Sequence, residues 1–414
     1  MIKVKNTHVE KIVYLLCVLT FSFYLNPNSK IQMYQIILYP LFFYVILKVV
    51  LTNTRINTKL LFFSYFYCVI FLYISIITIL NGNVINIFAG IKNWFDPFIV
   101  VMMFNLLLNR NNDITFYEKI IKKIAKLVIL LLCLNTIWSI LTMVYGMHTI
   151  NSYFWGADLA LGSKANNMGR FSGIFIQPIE AGVIYSIGLI LFWYLMDRNN
   201  KLNIFSLISL GLLFAGGILS VSKVFIFCGI PLFFFLTMFF LSPQKTSKVI
   251  IFVIFISTIV LYLMKVYWNG FDYFIRFFKP ENNKSFLDLL TAGRFNGTDS
   301  QQFQMIKNLT WKEIIFGRGF GADTTYDSII FYFLSVGGIV VLSIGIIYML
   351  YLFTRAIKVN FTNKLDVFFL SVIILVILSS LGAPTFFLNR VNLLIFLLIS
   401  LFQFYVNKGK GNLS

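Results

Sequence analysis

The sequence contains few charged side chains, and acidic ones are the scarcest. Charged residues make up 12% of the 414 residues, with 15 Asp and Glu against 34 Lys and Arg. Typical soluble domains are about 25% charged. This shortage argues against an ordinary soluble globular protein, because its surface would have too little charge.

Histidine and cysteine are also rare. Only His8 and His148 are present, which excludes a His-rich metal centre. All four cysteines fall inside apolar runs: Cys17, Cys68, Cys133 and Cys228. Their placement excludes a disulfide framework and makes a Cys-based metal site implausible, since none lies in a polar loop.

Long apolar runs take the place of the missing charge. Hydrophobic residues reach 59% of the chain and occur in runs of roughly 20, enough to cross a hydrocarbon core of about 30 Å. The sequence therefore predicts an all-α polytopic integral membrane protein, one membrane domain over residues 1–414 with about twelve transmembrane helices. The predicted spans are residues 11–25, 31–52, 59–80, 84–109, 126–146, 173–196, 202–219, 223–241, 248–268, 327–354, 364–383 and 389–406.

Two of these segments need comment. The first, residues 11–25, lacks a small-residue cleavage site and is interpreted as a span rather than a cleaved signal peptide. The segment 84–109 contains Lys92, Asp96 and Pro97, so we expect it to be broken or partly interfacial.

The net charge of +19 could indicate nucleic-acid binding or membrane orientation. With the N-terminus placed in the cytoplasm, 20 of the 34 basic residues fall on the inner side, and the short outer loops are nearly free of them. This is the distribution that the positive-inside rule describes. Orientation explains most of the excess, so we predict cytoplasmic termini and no nucleic-acid partner.

Three polar segments interrupt the apolar pattern. Residues 110–126, on the inner side, have Ile and Lys at helical spacing and predict an amphipathic helix on anionic lipid. Residues 147–172 and 269–326 are predicted external loops, and the larger one is expected to contain an amphipathic helix. Its apolar stripe would consist of Phe303, Met305, Ile306, Leu309 and Trp311. Functional groups concentrate on such loops, so we expect the site on this face.

The larger loop ends in the stretch FGRGFGADTTYDS, residues 316–328. Gly317, Gly319 and Gly321 do not have the GxGxxG spacing, and no GxxxxGK[ST] motif follows, which argues against a nucleotide loop. Two interpretations stay open. One is a structural hinge, and the other is a hinge whose backbone N–H groups approach a phosphate. Arg318 favours the second, because a guanidinium matches phosphate oxygens bidentately.

Further ionisable residues lie on the predicted outer side. Arg294, Arg170 and Lys223 are cations that could bind a pyrophosphate together, although snorkelling to the interface is the alternative. Asp327 begins an apolar span, where it could act as a base or cap the helix. Glu180 lies about two turns into a predicted span and is the second candidate base.

These motifs, in this order, resemble those of the O-antigen polymerase (Wzy) family within the O-antigen ligase and polymerase superfamily. The matching elements are Arg170-Phe171-Ser172-Gly173, Ser222-Lys223, Gly293-Arg294-Phe295, Trp311, the glycine-rich Gly317-Arg318-Gly319 and Asp327-Ser328. The resemblance covers the topology of nearly the whole chain and the motifs of residues 170–345. Ligase-like members usually have a His where this chain has Asp327, so the departure favours a polymerase.

The resemblance implies polymerisation of undecaprenyl-pyrophosphate-linked oligosaccharide units into O-antigen or capsule-type polysaccharide, at the outer face of a bacterial inner membrane. It implies no metal or other cofactor, and its partners would be lipid-linked oligosaccharide, membrane lipids and a chain-length regulator. The resemblance implies that external arginines hold the lipid pyrophosphate. For this reaction we assign catalytic roles to Arg294, Asp327 and, as second candidate base, Glu180, and substrate-binding roles to Arg170, Arg318, Lys223, Gly317 and Gly319.

Two alternatives remain open, a lipid-linked oligosaccharide flippase and an O-antigen ligase. A flippase should have short loops throughout and charges within its spans, which the long loop 269–326 argues against. Aromatic residues near the outer face could stack on sugars or anchor the interface. They are Tyr153, Phe154, Trp155 and Tyr326.

Overall fold

The computed structural model describes most of the chain. The described residues are 6–27, 31–51, 58–82, 84, 87–90, 94–108, 114–196, 203–267, 270–275, 304, 306–321, 328–358, 363–388 and 390–409. Regular structure within these ranges is helical, apart from an isolated antiparallel bridge between Tyr24 and Gln32. The all-α prediction is therefore confirmed for the described residues.

Seventeen α-helices are numbered here in chain order. They are α1 (Asn6–Leu19), α2 (Met33–Leu51), α3 (Thr58–Leu80), α4 (Ile87–Gly90), α5 (Asp96–Leu107), α6 (Ile114–Tyr145), α7 (His148–Trp155), α8 (Leu159–Asn167), α9 (Pro178–Leu195), α10 (Ile204–Leu219), α11 (Ile230–Phe240), α12 (Pro243–Tyr267), α13 (Gly270–Ile275), α14 (Trp311–Phe316), α15 (Ile329–Ile357), α16 (Lys364–Gly382) and α17 (Val391–Gly409). Short 3-10 helices occupy Gly156–Asp158 and Thr385–Phe387, and a π-helical turn at Phe225–Gly229 precedes α11.

The chain divides into two compact units. Unit 1 comprises Met1–Thr20, Tyr34–Ile120 and Gly297–Ser414, and unit 2 comprises Phe21–Met33 and Ile121–Asn296. The single membrane domain over residues 1–414 stays a prediction. The predicted site residues are divided between the two units, and each unit is described by itself.

Six helices are long and apolar enough to cross a membrane: α2, α6, α9, α12, α15 and α16. This supports a membrane protein. Each of the twelve predicted segments overlaps a helix of the structure, and the number that span the bilayer stays a prediction. The segment 84–109 contains two separate helices, α4 and α5, and Pro97 occupies the first turn of α5, where its missing N–H costs no hydrogen bond.

The predicted surface helix over residues 110–126 is not a separate element. Those of its residues that are described belong to α6, which has 32 residues and is about 48 Å long. No Gly or Pro occurs between Ile114 and Tyr145, so nothing in the sequence ends the helix. Its apolar stripe, which includes Ile120, Ile121 and Ile124, is buried in the protein. The prediction that this stripe rests on lipid is wrong.

The predicted apolar stripe from Phe303 to Trp311 is also interrupted. Phe303 and Met305 lie outside the described residues, but Thr310 has an extended backbone and acts as N-cap of a new helix, α14. Its side chain and that of Glu313 form a capping box. The T-x-x-E pattern was the sequence signal for this start. Trp311 opens the new helix with 80% of its surface exposed.

Helix α9 is the most enclosed helix of unit 2, because almost every one of its side chains is buried. Two glycines let its neighbours approach closely. A Cβ on Gly182 would collide with the Ser222 side chain, and one on Gly188 would lie 2.5 Å from a methyl carbon of Leu132. The start of α9 is therefore packed directly against the turn that follows α10.

Candidate functional site

The glycine-rich segment 316–321 packs against an interruption in α15 and forms hydrogen bonds with it. Gly338 interrupts that helix with φ 64° and ψ −163°. A helix break leaves carbonyl oxygens in the preceding turn without intrahelical donors. The Arg318 amide donates to the Ser335 carbonyl at 2.7 Å, and the Gly319 amide donates to that of Val336 at 3.0 Å. The segment thus satisfies backbone groups that the break exposes.

The same segment is bound to α3 on its other side. Thr78 Oγ1 accepts from the Phe320 amide at 2.8 Å, and Asn81 Nδ2 donates to the Arg318 carbonyl at 2.9 Å. Gly319 has φ +83°, and a Cβ there would lie 2.5 Å from Thr78 Oγ1. Glycine is required at this position by both conformation and space.

These contacts correct the role predicted for Gly317 and Gly319. Their N–H groups were predicted to approach a phosphate, but Gly317 N–H donates to the Glu313 carbonyl at 2.8 Å. The amides of Arg318, Gly319 and Phe320 are also used inside unit 1. The segment is a fixed connector between α3 and α15, which agrees with the alternative of a structural role.

The Arg318 side chain is held by neighbouring groups as well. Its Nε donates to Glu313 Oε1 at 2.9 Å, and an Nη atom donates to the Asn308 carbonyl at 3.1 Å. Hydrogen bonds lower the pKa of the Glu313 carboxyl below its ordinary 4.5, chiefly the one from the Thr310 amide and also that from Arg318. A phosphate at Arg318 would have to compete with this carboxylate.

In unit 2, Asn135 organises the segment that follows Arg170. Its Oδ1 accepts from the Ile174 amide at 2.9 Å, and its Nδ2 donates to the Ser172 carbonyl at 3.3 Å and to the Tyr185 hydroxyl at 3.0 Å. Gly173, with φ +66°, lies against this amide with no room for a Cβ. One buried amide therefore fixes residues 172–174.

This fixed segment places Arg170 beside the turn between α10 and the helical stretch that starts at Lys223. The Phe171 amide donates to the Leu219 carbonyl at 2.8 Å, and an Arg170 Nη donates to the Val221 carbonyl at 3.3 Å. Val221 has φ 45°, a left-handed conformation that is uncommon for a β-branched residue. Arg170 and Lys223 are both half-buried, and only Ser222 lies between Lys223 and Val221, whose carbonyl Arg170 binds.

Glu180 is nearer the helix start than predicted. It lies in the first turn of α9, not two turns in, and it is fully buried. Its Oε2 accepts from the Ile176 amide at 3.2 Å. A carboxylate here is stabilised by the exposed N–H groups and the positive end of the helix. This geometry favours a role in positioning the segment 171–176 over a role as a base.

Two buried hydroxyls lie next to these residues. The Oγ atoms of Ser172 and Ser222 have no hydrogen-bond partner among the described residues. Buried hydroxyls are usually hydrogen-bonded, so these two are exceptions. Ser222 and Lys223 belong to the turn at residues 220–223, and Arg170 binds its Val221 carbonyl, with Ser172 two residues after Arg170. These four residues, Arg170, Ser172, Ser222 and Lys223, are called the Arg170 cluster below.

The aromatic residues of α7 have mainly structural roles. Trp155 is buried, and its Nε1 donates to the Gly173 carbonyl at 3.1 Å, so it supports the segment 172–174 and does not face a sugar. Phe154 packs against Trp138 at 5.9 Å between ring centroids. Tyr153 has 47% of its surface exposed and keeps its predicted role as a stacking or interfacial residue.

Three predicted residues cannot be placed. Arg294, Asp327 and Tyr326 lie outside the described residues. The helix that follows Asp327 has Ser328 as its N-cap residue, without a capping hydrogen bond from its side chain. Within the described ranges, no group of three His, Cys, Asp or Glu side chains is arranged to hold a metal ion.

Two fully buried charged residues of unit 1 were not selected from the sequence as candidate site residues. Arg390 is fully buried just before α17. The sequence did contain a clue to Arg390, because it is a cation at the edge of a short loop on the predicted outer side, where the positive-inside rule does not expect one. Asp96 is also fully buried, and its carboxylate accepts from the hydroxyls of Tyr34 and Tyr39, each at 2.8 Å.

No protein-family model matches the chain, and comparison with curated proteins and with solved structures gave no significant match.

Proposed function

We propose that this protein is a membrane glycosyltransferase that polymerises lipid-linked oligosaccharide units into a surface polysaccharide. The observation that carries the proposal is the Arg170 cluster, in which the half-buried Arg170 binds the Val221 carbonyl and half-buried Lys223 follows two residues later. The two cations suit the phosphates of a lipid-pyrophosphate sugar. The order of motifs along the chain, which resembles that of the Wzy polymerases, supports the same function.

In the proposed reaction, a hydroxyl of the acceptor sugar attacks the anomeric carbon of the donor. The bond from that carbon to the pyrophosphate oxygen breaks, and the electron pair stays on the leaving oxygen. Negative charge grows on the pyrophosphate, so fixed cations stabilise the transition state more than the ground state. We assign this role to Arg170 and Lys223, with Arg294 as a third cation proposed from the sequence.

The proton of the acceptor hydroxyl needs a base. We propose Asp327 for this role on the basis of the sequence. Glu180 is assigned to positioning, because its buried carboxylate already binds the Ile176 amide. Arg318 would bind the pyrophosphate only if its guanidinium released the Glu313 carboxylate, because its Nε donates a hydrogen bond to that group.

The placement of buried charges favours this enzyme over a flippase. The buried residues of the described chain that carry a charge at pH 7 are Asp96, Glu180, Asp366 and Arg390. The three carboxylates lie in the first turns of α5, α9 and α16, and Arg390 directly precedes α17. Carboxylates are stabilised at helix N-termini. The three buried carboxylates therefore have a structural explanation, and no transport path is needed to account for them.

The direct test is the glycan ladder made by a deletion strain of the native host, complemented with variants. Loss of a polymerase leaves a single repeat unit on the acceptor, whereas loss of a flippase or a ligase leaves none. A deletion strain without any repeat unit on its acceptor would contradict the proposed function.

Variants at Arg170 separate charge from backbone capping. Arg170→Gln removes the charge but keeps a donor for the Val221 carbonyl, and Arg170→Lys keeps the charge. We expect Gln to reduce polymer by about 100-fold, as for the loss of a transition-state electrostatic contact, and Lys to retain part of it. Lys164→Gln changes an exposed lysine of α8 and serves as the control. Equal ladders for Arg170→Gln and Lys164→Gln, at matched protein levels, would overturn the site assignment.

A further inference from the structure

Unit 2 contains a groove formed by α6, α9, α10 and the start of α12. Its volume is about 630 Å³, within the range of about 300–1,000 Å³ that ligand pockets occupy. The lining includes Lys126, Phe192, Asn203, Leu212 and Lys245. None of these residues belongs to the Arg170 cluster, so the groove is a different feature of the same unit.

The groove is polar at one end and apolar along the rest. Lys245 lies in the first turn of α12, and Asn203 is the N-cap of α10, so two helix N-termini meet the groove at its polar end. Lys126 lines the groove from α6. Side chains such as Phe192 and Leu212 form the apolar wall. The pattern matches an amphiphile with one polar end.

The electrostatics of the polar end favour an anion. Lys126 and Lys245 supply two positive charges, and the N-termini of α10 and α12 each contribute the positive end of a helix macrodipole. A phosphate group placed there would be attracted from several directions.

The rim of the groove indicates where its occupant comes from. Leu130 and Phe205 line it, with 57% and 75% of their surfaces exposed. Exposed apolar side chains of this size suit contact with lipid chains rather than water. Helices α6, α9 and α12 are also among those long and apolar enough to span a membrane. An amphiphile that enters from a bilayer is thus the occupant that the rim favours.

We propose that this groove binds one anionic phospholipid, with its phosphate between Lys126 and Lys245 and an acyl chain along the Phe192 and Leu212 wall. The polar end is the one that the positive-inside rule places at the cytoplasmic leaflet, where anionic lipids attract basic residues. The lipid stabilises unit 2 as a bound structural ligand. This proposal does not depend on the reaction that the protein catalyses.

The experiment measures lipid binding to the full-length protein in detergent micelles. Fluorescent phosphatidylglycerol is the anionic lipid, and phosphatidylcholine with the same chains is the zwitterionic comparison. The test variant is Lys126→Gln with Lys245→Gln. Each lysine near an anionic lipid contributes roughly five-fold in affinity, so the pair should weaken phosphatidylglycerol binding by about 25-fold.

A matched control removes the same charge outside the groove. Lys122 and Lys248 are exposed, lie on the same two helices, and do not line the groove. Lys122→Gln with Lys248→Gln should weaken binding by less than about three-fold, because solvent screens charges that do not touch the lipid. If this control loses as much affinity as the test pair, the attraction is a general surface effect and the proposal fails. Equal affinity for phosphatidylcholine in the wild type would also overturn it.

A second variant tests the apolar wall without changing charge. Ser209→Trp would fill the groove, whereas Ile208→Trp places the same side chain at a neighbouring residue that is 53% exposed and lies outside the lining. We expect the first to abolish saturable phosphatidylglycerol binding and the second to preserve it. If Ser209→Trp folds and still binds, the lipid lies elsewhere; if it does not fold, the lysine variants decide.

Excess glycerol phosphate distinguishes a lipid from a soluble phosphate. It has the headgroup charge without the acyl chains, so it should displace little bound lipid. Displacement at micromolar concentration would show that the groove recognises a soluble phosphate, and the lipid assignment would then be wrong.

Discussion

The amide of Arg318 donates a 2.7 Å hydrogen bond to the carbonyl oxygen of Ser335, in the turn before the break in α15. The glycine-rich segment and the broken helix therefore depend on each other. The break exposes carbonyl groups, and the segment supplies the amides that satisfy them. This relationship makes the glycines structural and predicts which substitutions the region tolerates.

Gly338→Ala should destabilise the protein strongly. Alanine is strained at φ +64°, which costs about 1–2 kcal/mol, and its Cβ would collide with the Ile315 carbonyl, adding about 1–3 kcal/mol. Gly82→Ala is the control, because Gly82 has φ +76° but open space around it, so only the first cost applies. The free energy of unfolding, measured in detergent, should be clearly lower for Gly338→Ala than for Gly82→Ala. Equal losses would mean that close packing at Gly338 is unimportant.

Arg318 and Glu313 should show a modest coupling energy. The pair is hydrogen-bonded at 2.9 Å, but both side chains are partly exposed, so we expect about 0.5–1 kcal/mol. The measurement is a double-mutant cycle with Arg318→Gln and Glu313→Gln, read as the free energy of unfolding. Zero coupling would indicate that the Arg318 guanidinium does not depend on this carboxylate and is available to another anion.

The stability contributed by Glu313 should depend on pH in a defined direction. Its pKa is lowered in the folded protein, so its stabilisation is present above the ordinary value of 4.5 and is lost as pH falls through the folded-state pKa. The difference in unfolding free energy between wild type and Glu313→Gln should be constant near pH 7 and shrink below pH 4.5. Arg318→Gln should weaken this dependence without removing it, because the Thr310 amide is the main cause of the shift. A difference that grows on acidification would contradict the assigned cause.

Asn135→Leu should destabilise unit 2 by about 2–4 kcal/mol, since it leaves the buried Ile174 amide and the Ser172 carbonyl without their partner. Asn203→Ala removes an exposed N-cap and should cost only about 1 kcal/mol. Thermal unfolding gives both values. The Asn135 variant should also lose polymer in the glycan ladder even at a permissive temperature, because residues 172–174 orient Arg170. If the Asn135 variant loses the expected stability but still makes full-length polymer, the Asn135 amide does not contribute to the proposed site.

Asp96→Leu should destabilise unit 1 by about 2–4 kcal/mol, because two tyrosine hydroxyls lose their acceptor. Asp96→Asn keeps an acceptor and should cost less. Tyr34→Phe alone should cost about 1 kcal/mol, but it should be nearly neutral in the Asp96→Leu background. Additive losses in the double variant would show that the hydroxyl and the carboxylate do not act together.

Much of the helical framework was predictable from the pattern of apolar residues. Segments such as 364–383 appear as helices with nearly the predicted bounds, because a long apolar run must satisfy its backbone internally. The errors fell at polar stretches. Residues 114–126 continue α6 because no breaker separates them from it, and the stripe before Trp311 is interrupted because Thr310 and Glu313 form a cap.

The candidate site was predictable only in part. Arg170, Lys223 and Glu180 were selected from the sequence. The structure places Arg170 and Lys223 at one turn and Glu180 in the first turn of α9. Asn135, which fixes that segment, was not selected. The only clue in the sequence was that Asn135 is a polar residue inside an apolar run. Its hydrogen-bond partners Ser172 and Tyr185 lie 37 and 50 residues away in the chain, and a local sequence pattern cannot reveal them.

By itself, the sequence determined that this is an all-α protein with long apolar helices and a biased charge distribution, since composition and apolar run length can be read directly from it. It also indicated a hinge at Gly317, Gly319 and Gly321, whereas the break at Gly338 was not predicted. Only the tertiary structure decided what these glycines do. A backbone amide has the same chemistry whether it faces a phosphate or a carbonyl, and the groups that reach the Arg318 and Gly319 amides are carbonyls of α15.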